Sequence, residues 1–130
     1  MLDNPLLQNL GVNLAHWEDK QCTLTLQIEP RHLNRQRSLH GGVIATLLDA
    51  ACGYSGLYAA PGEPERHAST ISLSINYIGG VQEGRIQAVG QVTGGGRKIY
   101  FSSAELKNEA GVTIATAQGS FKRASSAAPA

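Results

Sequence analysis

The 130-residue sequence lacks several features that would each point to a particular class of protein. Its formal net charge is only +1, from 11 basic and 10 acidic residues, so it has no strongly basic field to hold a nucleic acid. It contains no run of about 18 or more apolar residues, the length that a membrane-spanning helix needs. We therefore expect neither a nucleic-acid partner nor a membrane partner.

Cysteine is also scarce. Cys22 and Cys52 are the two cysteines, and neither belongs to a Cys-x-x-Cys pair or a His/Cys cluster, so we expect no metal site. Residues 1–10 lack the basic start and apolar run of a secretory signal peptide. We therefore expect a reduced, cytoplasmic setting.

The motifs of several common enzyme classes are missing as well. The sequence has no Gly-x-Ser-x-Gly elbow, no Walker loop and no Gly-x-Gly-x-x-Gly after a strand. The whole sequence is 42% hydrophobic and 16% charged, which is typical of a globular protein. We predict a single domain over residues 1–123 and a flexible, small-residue tail over 124–130.

Hydrophobic periodicity predicts a short helix, a hairpin, a long helix and then an antiparallel meander of four strands. The predicted elements are a helix from Asn4-Pro5 to Gly11, a hairpin over 12–29, a helix over 42–60, and strands over 70–78, 85–93, 98–106 and 112–121. The long helix is apolar nearly all round, so a curled sheet or a second subunit must enclose it.

Asp49 is the one charged residue between His40 and Glu63. A carboxylate in an apolar helix is costly unless something pairs with it. Its helix face otherwise carries only small residues, namely Gly42, Ala45, Cys52, Gly53 and Gly56. A substrate or a partner subunit that approaches this face would explain the pattern, and a buried structural acid is the alternative.

Gly41 and Gly42 lie at the start of the same helix, where backbone N–H groups have no intrahelical partner. Such a terminus binds anions and stabilises a developing oxyanion, although a Gly-Gly pair is also a simple tight turn. Asn34, in the preceding loop, has an amide that can reach a carbonyl or a water. Thr70, which opens the strand after the helix, has a hydroxyl that can orient a water, and both residue types are also common in loops and strands.

Asn34, followed six positions later by His40-Gly41-Gly42 and an acid nine positions after the histidine, resembles the motif of the hotdog-fold acyl-CoA thioesterases. The similarity is to the PaaI-like branch, named for phenylacetate degradation, and it extends to residues 70–77 and 96–106. The resemblance implies an α+β hotdog fold, in which a curved antiparallel β-sheet wraps around one long central helix.

The resemblance also implies a role for each residue of the motif. Asp49 is the nucleophile or the general base for water, and Thr70 orients the water or the acid. The backbone N–H of Gly41, helped by Asn34, donates to the thioester carbonyl, while His40 holds Asn34 and its loop in place. No metal or cofactor is needed, since coenzyme A is part of the substrate.

The family site lies between two subunits, with Asp49 and Thr70 from one and Asn34, His40 and Gly41 from the other. Helical rise agrees with this arrangement, because it separates Gly41 from Asp49 by about 12 Å within one chain. We therefore expect a homodimer with shared sites, and a homotetramer as the full assembly.

Substrate contacts are expected from small and basic residues. The candidates are Gly42, Gly53, Arg66, Arg97 and Lys98, the three basic residues being placed to meet coenzyme A phosphates. Each basic residue is equally explained as a solvated surface charge.

The resemblance therefore implies hydrolysis of acyl-CoA to free acid and coenzyme A, with phenylacetyl or hydroxyphenylacetyl groups, or medium-length chains, as the acyl part. A hotdog protein that binds acyl-CoA without hydrolysing it, as a sensor or carrier, is the first alternative, and a hydratase or dehydratase on the same fold is the second. Asp49 within the helix disfavours both.

Overall fold

The computed structural model describes residues 2–125, which form one antiparallel sheet packed against one long helix. In chain order the elements are α1 (Pro5–Leu10), β1 (Asn13–Glu18), β2 (Gln21–Gln27), a 3-10 turn (Pro30–His32), α2 (Gly41–Ser55), β3 (Ala68–Tyr77), β4 (Arg85–Gly95), β5 (Ile99–Lys107) and β6 (Thr113–Arg123). Of the predicted tail, residues 126–130 lie outside the described residues. Within the described range no helix is long and apolar enough to cross a membrane.

The short helix α1 has the capping that its sequence predicts. The Asn4 side chain accepts a hydrogen bond from the Leu7 N–H, and Pro5 occupies the first helical position. Gly11 ends the helix with a φ of 85°, a left-handed conformation that favours glycine. Leu7 is buried, so α1 is fastened to the core by one side chain.

The strands lie in the order β1-β2-β4-β5-β6-β3. The prediction of a meander is correct for β4, β5 and β6 but wrong for β3, which pairs with β6 and not with β4. The segment that contains α2 connects β2 to β3 and crosses the sheet, so that β3 lies at the edge opposite β1. As a result β3 has a neighbouring strand on one side only.

The helix α2 lies across the sheet and contacts every strand. The face that it turns to the sheet is apolar and buried, and consists of Ile44, Leu47, Leu48, Ala51 and Cys52. At β4 the helix comes so close that a Cβ on Gly90 would lie 2.1 Å from the Ala51 carbonyl oxygen. Glycine at this position therefore allows the helix to approach the sheet. The antiparallel sheet packed against one long helix confirms the prediction of an α+β hotdog fold.

The end of α2 differs from the prediction, because the helix stops at Ser55 and does not continue to residue 60. A Cβ on Gly56 would lie 2.3 Å from Cε2 of Tyr100, so the chain at this point is packed tightly on the sheet. The Arg123 guanidinium donates two hydrogen bonds to the Gly56 carbonyl, which satisfies an acceptor at the helix end. The apolar residues after Gly56 therefore continue the core without continuing the helix.

Candidate active site

Asp49 lies near the middle of the half-exposed side of α2 and receives one hydrogen bond from β3. Oγ1 of Thr70 donates to Oδ1 of Asp49 over 2.8 Å. Among residues 2–125 no basic side chain forms an ion pair with Asp49. The carboxylate is thus oriented but not neutralised, which suits a nucleophile or a base.

A β-bulge in β3 explains how Thr70 reaches Asp49. Simple alternation along this strand places Thr70 on the polar face with Ser72, and Ile71 on the apolar face. In the structure the register with β6 shifts between Thr70 and Ser72, so that Thr70 and Leu73 line the same concavity as Asp49. Ile71 is instead 54% exposed. Bulges often re-aim a side chain next to a functional site, and this one directs Thr70 at the acid.

Beside Asp49 and Thr70 lies a cavity of about 310 Å³ between α1, α2 and the start of β3. Its apolar wall consists of Leu6, Leu7, Ala50, Gly53, Leu57 and Phe121. A Cβ on Gly53 would meet the Phe121 ring at 3.6 Å, so the glycine keeps this part of the cavity open. Arg66 lies at the same cavity, so two of the predicted substrate-contact residues, Gly53 and Arg66, are placed together with Asp49.

At the start of α2 the backbone N–H groups are engaged with one exception. The Gly42 N–H donates to Nδ1 of His40 over 2.8 Å, and the N–H groups of Val43 and Ile44 donate to the His40 carbonyl. The Gly41 N–H has no acceptor within residues 2–125. It is therefore available to a ligand oxygen, as the predicted oxyanion donor must be.

The loop that carries Asn34 is folded on itself by that residue. Oδ1 of Asn34 accepts from the N–H groups of Gln36 and Ser38, at 3.0 and 3.1 Å, which leaves the amide NH₂ as the group that can donate outward. Asn34 and His40 line one shallow concavity. Within residues 2–125 no hydrogen bond joins their side chains, and Nδ1 of His40 caps α2.

Arg97 and Lys98 lie in the turn between β4 and β5. Their carbonyls accept hydrogen bonds from Arg123, which ties the turn to the end of α2. Neither residue is among the described residues that line the Asp49 cavity. If they meet a substrate, they do so away from the acyl group.

The two other chemistries that this region suggests find no support. Burial, reinforced by the negative charge of Asp49, raises the pKa of the Cys52 thiol to about 12, so this cysteine is not a thiolate nucleophile near neutral pH. Over residues 2–125 no three His, Cys, Asp or Glu side chains are grouped to hold a metal ion.

The sequence analysis missed two contributors to this region. One is α1, whose Leu6 and Leu7 form a wall of the cavity. The other is Tyr77, whose hydroxyl donates to the Gly41 carbonyl over 2.8 Å. Strand alternation does place Tyr77 on the face of Leu73 and Ile75, but no local signal indicates that α2 begins opposite it.

Comparison with known proteins agrees with the geometry. Residues 36–115 match the family model described as the thioesterase superfamily. The medium/long-chain acyl-CoA thioesterase YigI of Escherichia coli is 28% identical over 133 residues, covering 90% of this chain and 84% of YigI. A thioesterase structure from Haemophilus influenzae superposes with a TM-score of 0.86 at 17% identity, covering 97% of this chain and 87% of that one.

The PaaI protein from the phenylacetic acid degradation operon of Escherichia coli has a similar structure, with a TM-score of 0.81 and 21% identity over 95% of this chain and 86% of that one. At such identities the two solved structures establish the hotdog fold and not the substrate. The family model covers well over half of the chain and includes both Gly41 and Asp49. The chain therefore belongs to the thioesterase superfamily, and it is an enzyme of that class.

Proposed function

We propose that the protein hydrolyses acyl-CoA thioesters to the free acid and coenzyme A. The observation that carries this proposal is the hydrogen bond from Thr70 to Asp49 at the edge of a cavity of about 310 Å³. An oriented carboxylate without a cationic partner, beside a cavity with one apolar wall, is what attack on a bound acyl group requires.

Two routes are open for Asp49. As a nucleophile, its carboxylate attacks the thioester carbon, expels the coenzyme A thiolate and forms a mixed anhydride that water then hydrolyses. As a general base, it removes a proton from a water that attacks the same carbon directly. Single turnover in ¹⁸O-water tests the first route, because label in the Asp49 carboxylate requires an anhydride that water has opened at the Asp49 carbonyl and so excludes a pure general-base path.

The oxyanion of either route needs donors, and we assign them to the Gly41 N–H and the Asn34 amide of a second protomer. Within one helix Gly41 and Asp49 are about 12 Å apart, too far to act on one carbonyl. The free edge of β3 offers the surface for pairing, with Ile71, Tyr77 and Ile78 exposed along it. A two-fold axis beside β3 brings the start of one α2 to the middle of the other and creates two equal sites.

Mixing of two inactive variants tests the shared site. Asp49→Ala and Gly41→Pro each disable both sites of their own homodimer. In a 1:1 mixture that has been unfolded and refolded, half of the dimers are mixed, and each of these has one intact site. Recovery of about one quarter of wild-type activity supports the arrangement, whereas no recovery, or a monomer by light scattering, contradicts it.

We propose that two such dimers form a homotetramer, in line with the family resemblance. Light scattering at micromolar concentration checks this independently of activity, because a tetramer of a 13.7 kDa chain and a dimer differ twofold in mass.

The acyl group is proposed to occupy the cavity beside Asp49. Its volume is roughly ten water volumes, near the lower limit for small-molecule sites. This favours an arylacetyl group, such as phenylacetyl or hydroxyphenylacetyl, or a medium-length chain. Gly53→Val fills the apolar end, so we expect it to raise KM for the larger acyl groups of a panel more than for acetyl-CoA.

The phosphates of coenzyme A need basic residues to bind them, and Arg66 is the first candidate because it lies at the cavity. Arg97 and Lys98 are candidates for the outer phosphates. Replacement of Arg66 by Gln is expected to raise KM for acyl-CoA without raising KM for the same acyl group on N-acetylcysteamine. An equal rise in KM for both substrates would show that Arg66 does not bind the phosphates.

The test of the whole proposal is thiol release from a panel of acyl-CoA esters, with Asp49→Ala as the comparison. We expect turnover by the wild type and a loss of at least about a hundredfold in the variant. Tight binding without turnover by either protein would establish the sensor or carrier instead.

A further inference from the structure

Tyr77 contacts Gly41, the first residue of α2, whose N–H has no acceptor within residues 2–125. Its hydroxyl donates to the Gly41 carbonyl over 2.8 Å, and its ring lies against the residue itself, since a Cβ on Gly41 would be 3.4 Å from Cε1 of Tyr77. The residue is nevertheless 55% exposed within one protomer, on the β3 edge proposed for pairing. The core of its own protomer therefore does not fix its orientation, and its hydrogen bond to Gly41 restrains it.

The hydrogen bonds around Gly41 form a frame for a single peptide unit. The N–H that is free belongs to the peptide between His40 and Gly41. On one side of it the His40 N–H donates to the His32 carbonyl over 2.9 Å. On the other side the peptide between Gly41 and Gly42 is held twice, because Tyr77 donates to its carbonyl and its N–H donates to His40.

The carbonyl of the His40–Gly41 peptide accepts from the N–H groups of Val43 and Ile44, which holds this peptide from the helix side. Glycine has the largest backbone freedom of any residue, so Gly41 lets this peptide reorient unless the peptide that follows it is held as well. A donor stabilises an oxyanion only when it already points at the place where the charge will develop. On these observations, and given the proposed function, we infer that Tyr77 is a positioning residue for the oxyanion donor Gly41.

The place of Tyr77 in the fold agrees with this role. Along β3, Thr70 contacts Asp49 and Tyr77 contacts Gly41, so the strand runs antiparallel to α2 and contacts two half-sites, which in the proposed dimer belong to different active sites. Thr70 orients the acid at one end of the strand. Tyr77 positions the donor Gly41 at the other end.

Kinetics of Tyr77→Phe test the inference, because this change removes only the hydroxyl. Loss of a whole oxyanion donor costs about 10²- to 10³-fold in kcat, so loosening one is expected to cost about tenfold, with KM within about twofold of wild type. Tyr58→Phe is the matched control, since that ring packs on Trp17 beyond the end of α2 and should leave kcat unchanged. An unchanged kcat in Tyr77→Phe overturns the inference.

A double-mutant cycle separates positioning from general support of the fold. Gly41→Pro removes the N–H that Tyr77 is inferred to orient, so in that background Tyr77→Phe should lower kcat by less than about twofold. A tenfold loss in both backgrounds shows that Tyr77 acts through something other than this N–H.

Backbone dynamics test the inference even if the wild type releases no coenzyme A, which would refute the proposed function alone. The ¹⁵N order parameter of Gly41 is expected near ~0.85 in the wild type and clearly lower in Tyr77→Phe. Equal order parameters in the two proteins overturn the positioning role, whatever the enzyme acts on.

Discussion

Replacement of Gly41 by proline is the sharpest perturbation that the structure offers, because it deletes one hydrogen-bond donor and little else. Gly41 is the first residue of α2, the helical position at which proline is best tolerated. His40 has φ −62° and ψ 133°, the extended conformation that a residue before proline prefers. The N–H that is lost has no acceptor within residues 2–125, so the fold gives up no hydrogen bond.

The magnitude follows from the role of the donor. Removal of one oxyanion-hole donor typically lowers kcat by about 10²- to 10³-fold, or about 2.7–4 kcal/mol of transition-state stabilisation. The free energy of unfolding should rise by about 0.4–1 kcal/mol, because a compatible proline restricts the unfolded chain. The variant is therefore expected to be slightly more stable and far less active than the wild type.

The assay is thiol release at saturating acyl-CoA, together with thermal unfolding. Gly41→Ala is the matched control, since it adds a Cβ at an ordinary contact distance from Tyr77 and keeps the N–H. The ratio of the two variants isolates the donor from the added carbon. A folded Gly41→Pro protein with kcat within about threefold of Gly41→Ala would refute the assignment of Gly41.

Three further predictions concern the strand bulge, the helix-sheet contact and the thiols. Thr70→Val keeps the shape but removes the donor to the acid, so kcat should fall roughly 10- to 100-fold while Thr70→Ser stays near wild type in the same thiol-release assay. Gly90→Ala should lower the free energy of unfolding by at least about 1–3 kcal/mol in urea, because its Cβ would strike a backbone carbonyl of α2, whereas Gly94→Ala meets nothing within 4 Å and should cost far less. Burial raises the pKa of Cys22 and of Cys52 to about 12, so a thiol reagent at pH 8 should label the native protein negligibly and both thiols after unfolding. Since these folded-state pKa values are raised, their contribution to stability is present below about pH 9 and lost as pH rises towards 12, which unfolding at a series of pH values would show.

Local signals were sufficient for the elements that carry the site. The cap at Asn4, the left-handed Gly11 and the start of α2 after His40 all follow from the chemistry of the residues themselves. The end of α2 did not, because residues after Gly56 are as apolar as those before it. What stops the helix there is the packing of Tyr100 and Arg123 from distant strands, which periodicity within one segment does not register.

In the site, as in the fold, some features follow from local sequence signals and others depend on distant residues. The spacing from Asn34 to Asp49 is readable in the sequence, as is the helix that places Gly41 and Asp49 on one element. The bulge that turns Thr70 towards Asp49 is not readable, since strict alternation assigns Thr70 to the other face. Tyr77 was missed because its partner is 36 residues away in the chain and is a backbone carbonyl.

The cap that His40 places on α2 has a consequence for the protonation of its ring. Because Nδ1 accepts the Gly42 N–H, it must carry a lone pair, and the proton of the neutral ring must therefore be on Nε2. In this tautomer Nε2–H is a hydrogen-bond donor. The start of α2 therefore offers a side-chain donor beside Asn34, in the concavity that the two residues share.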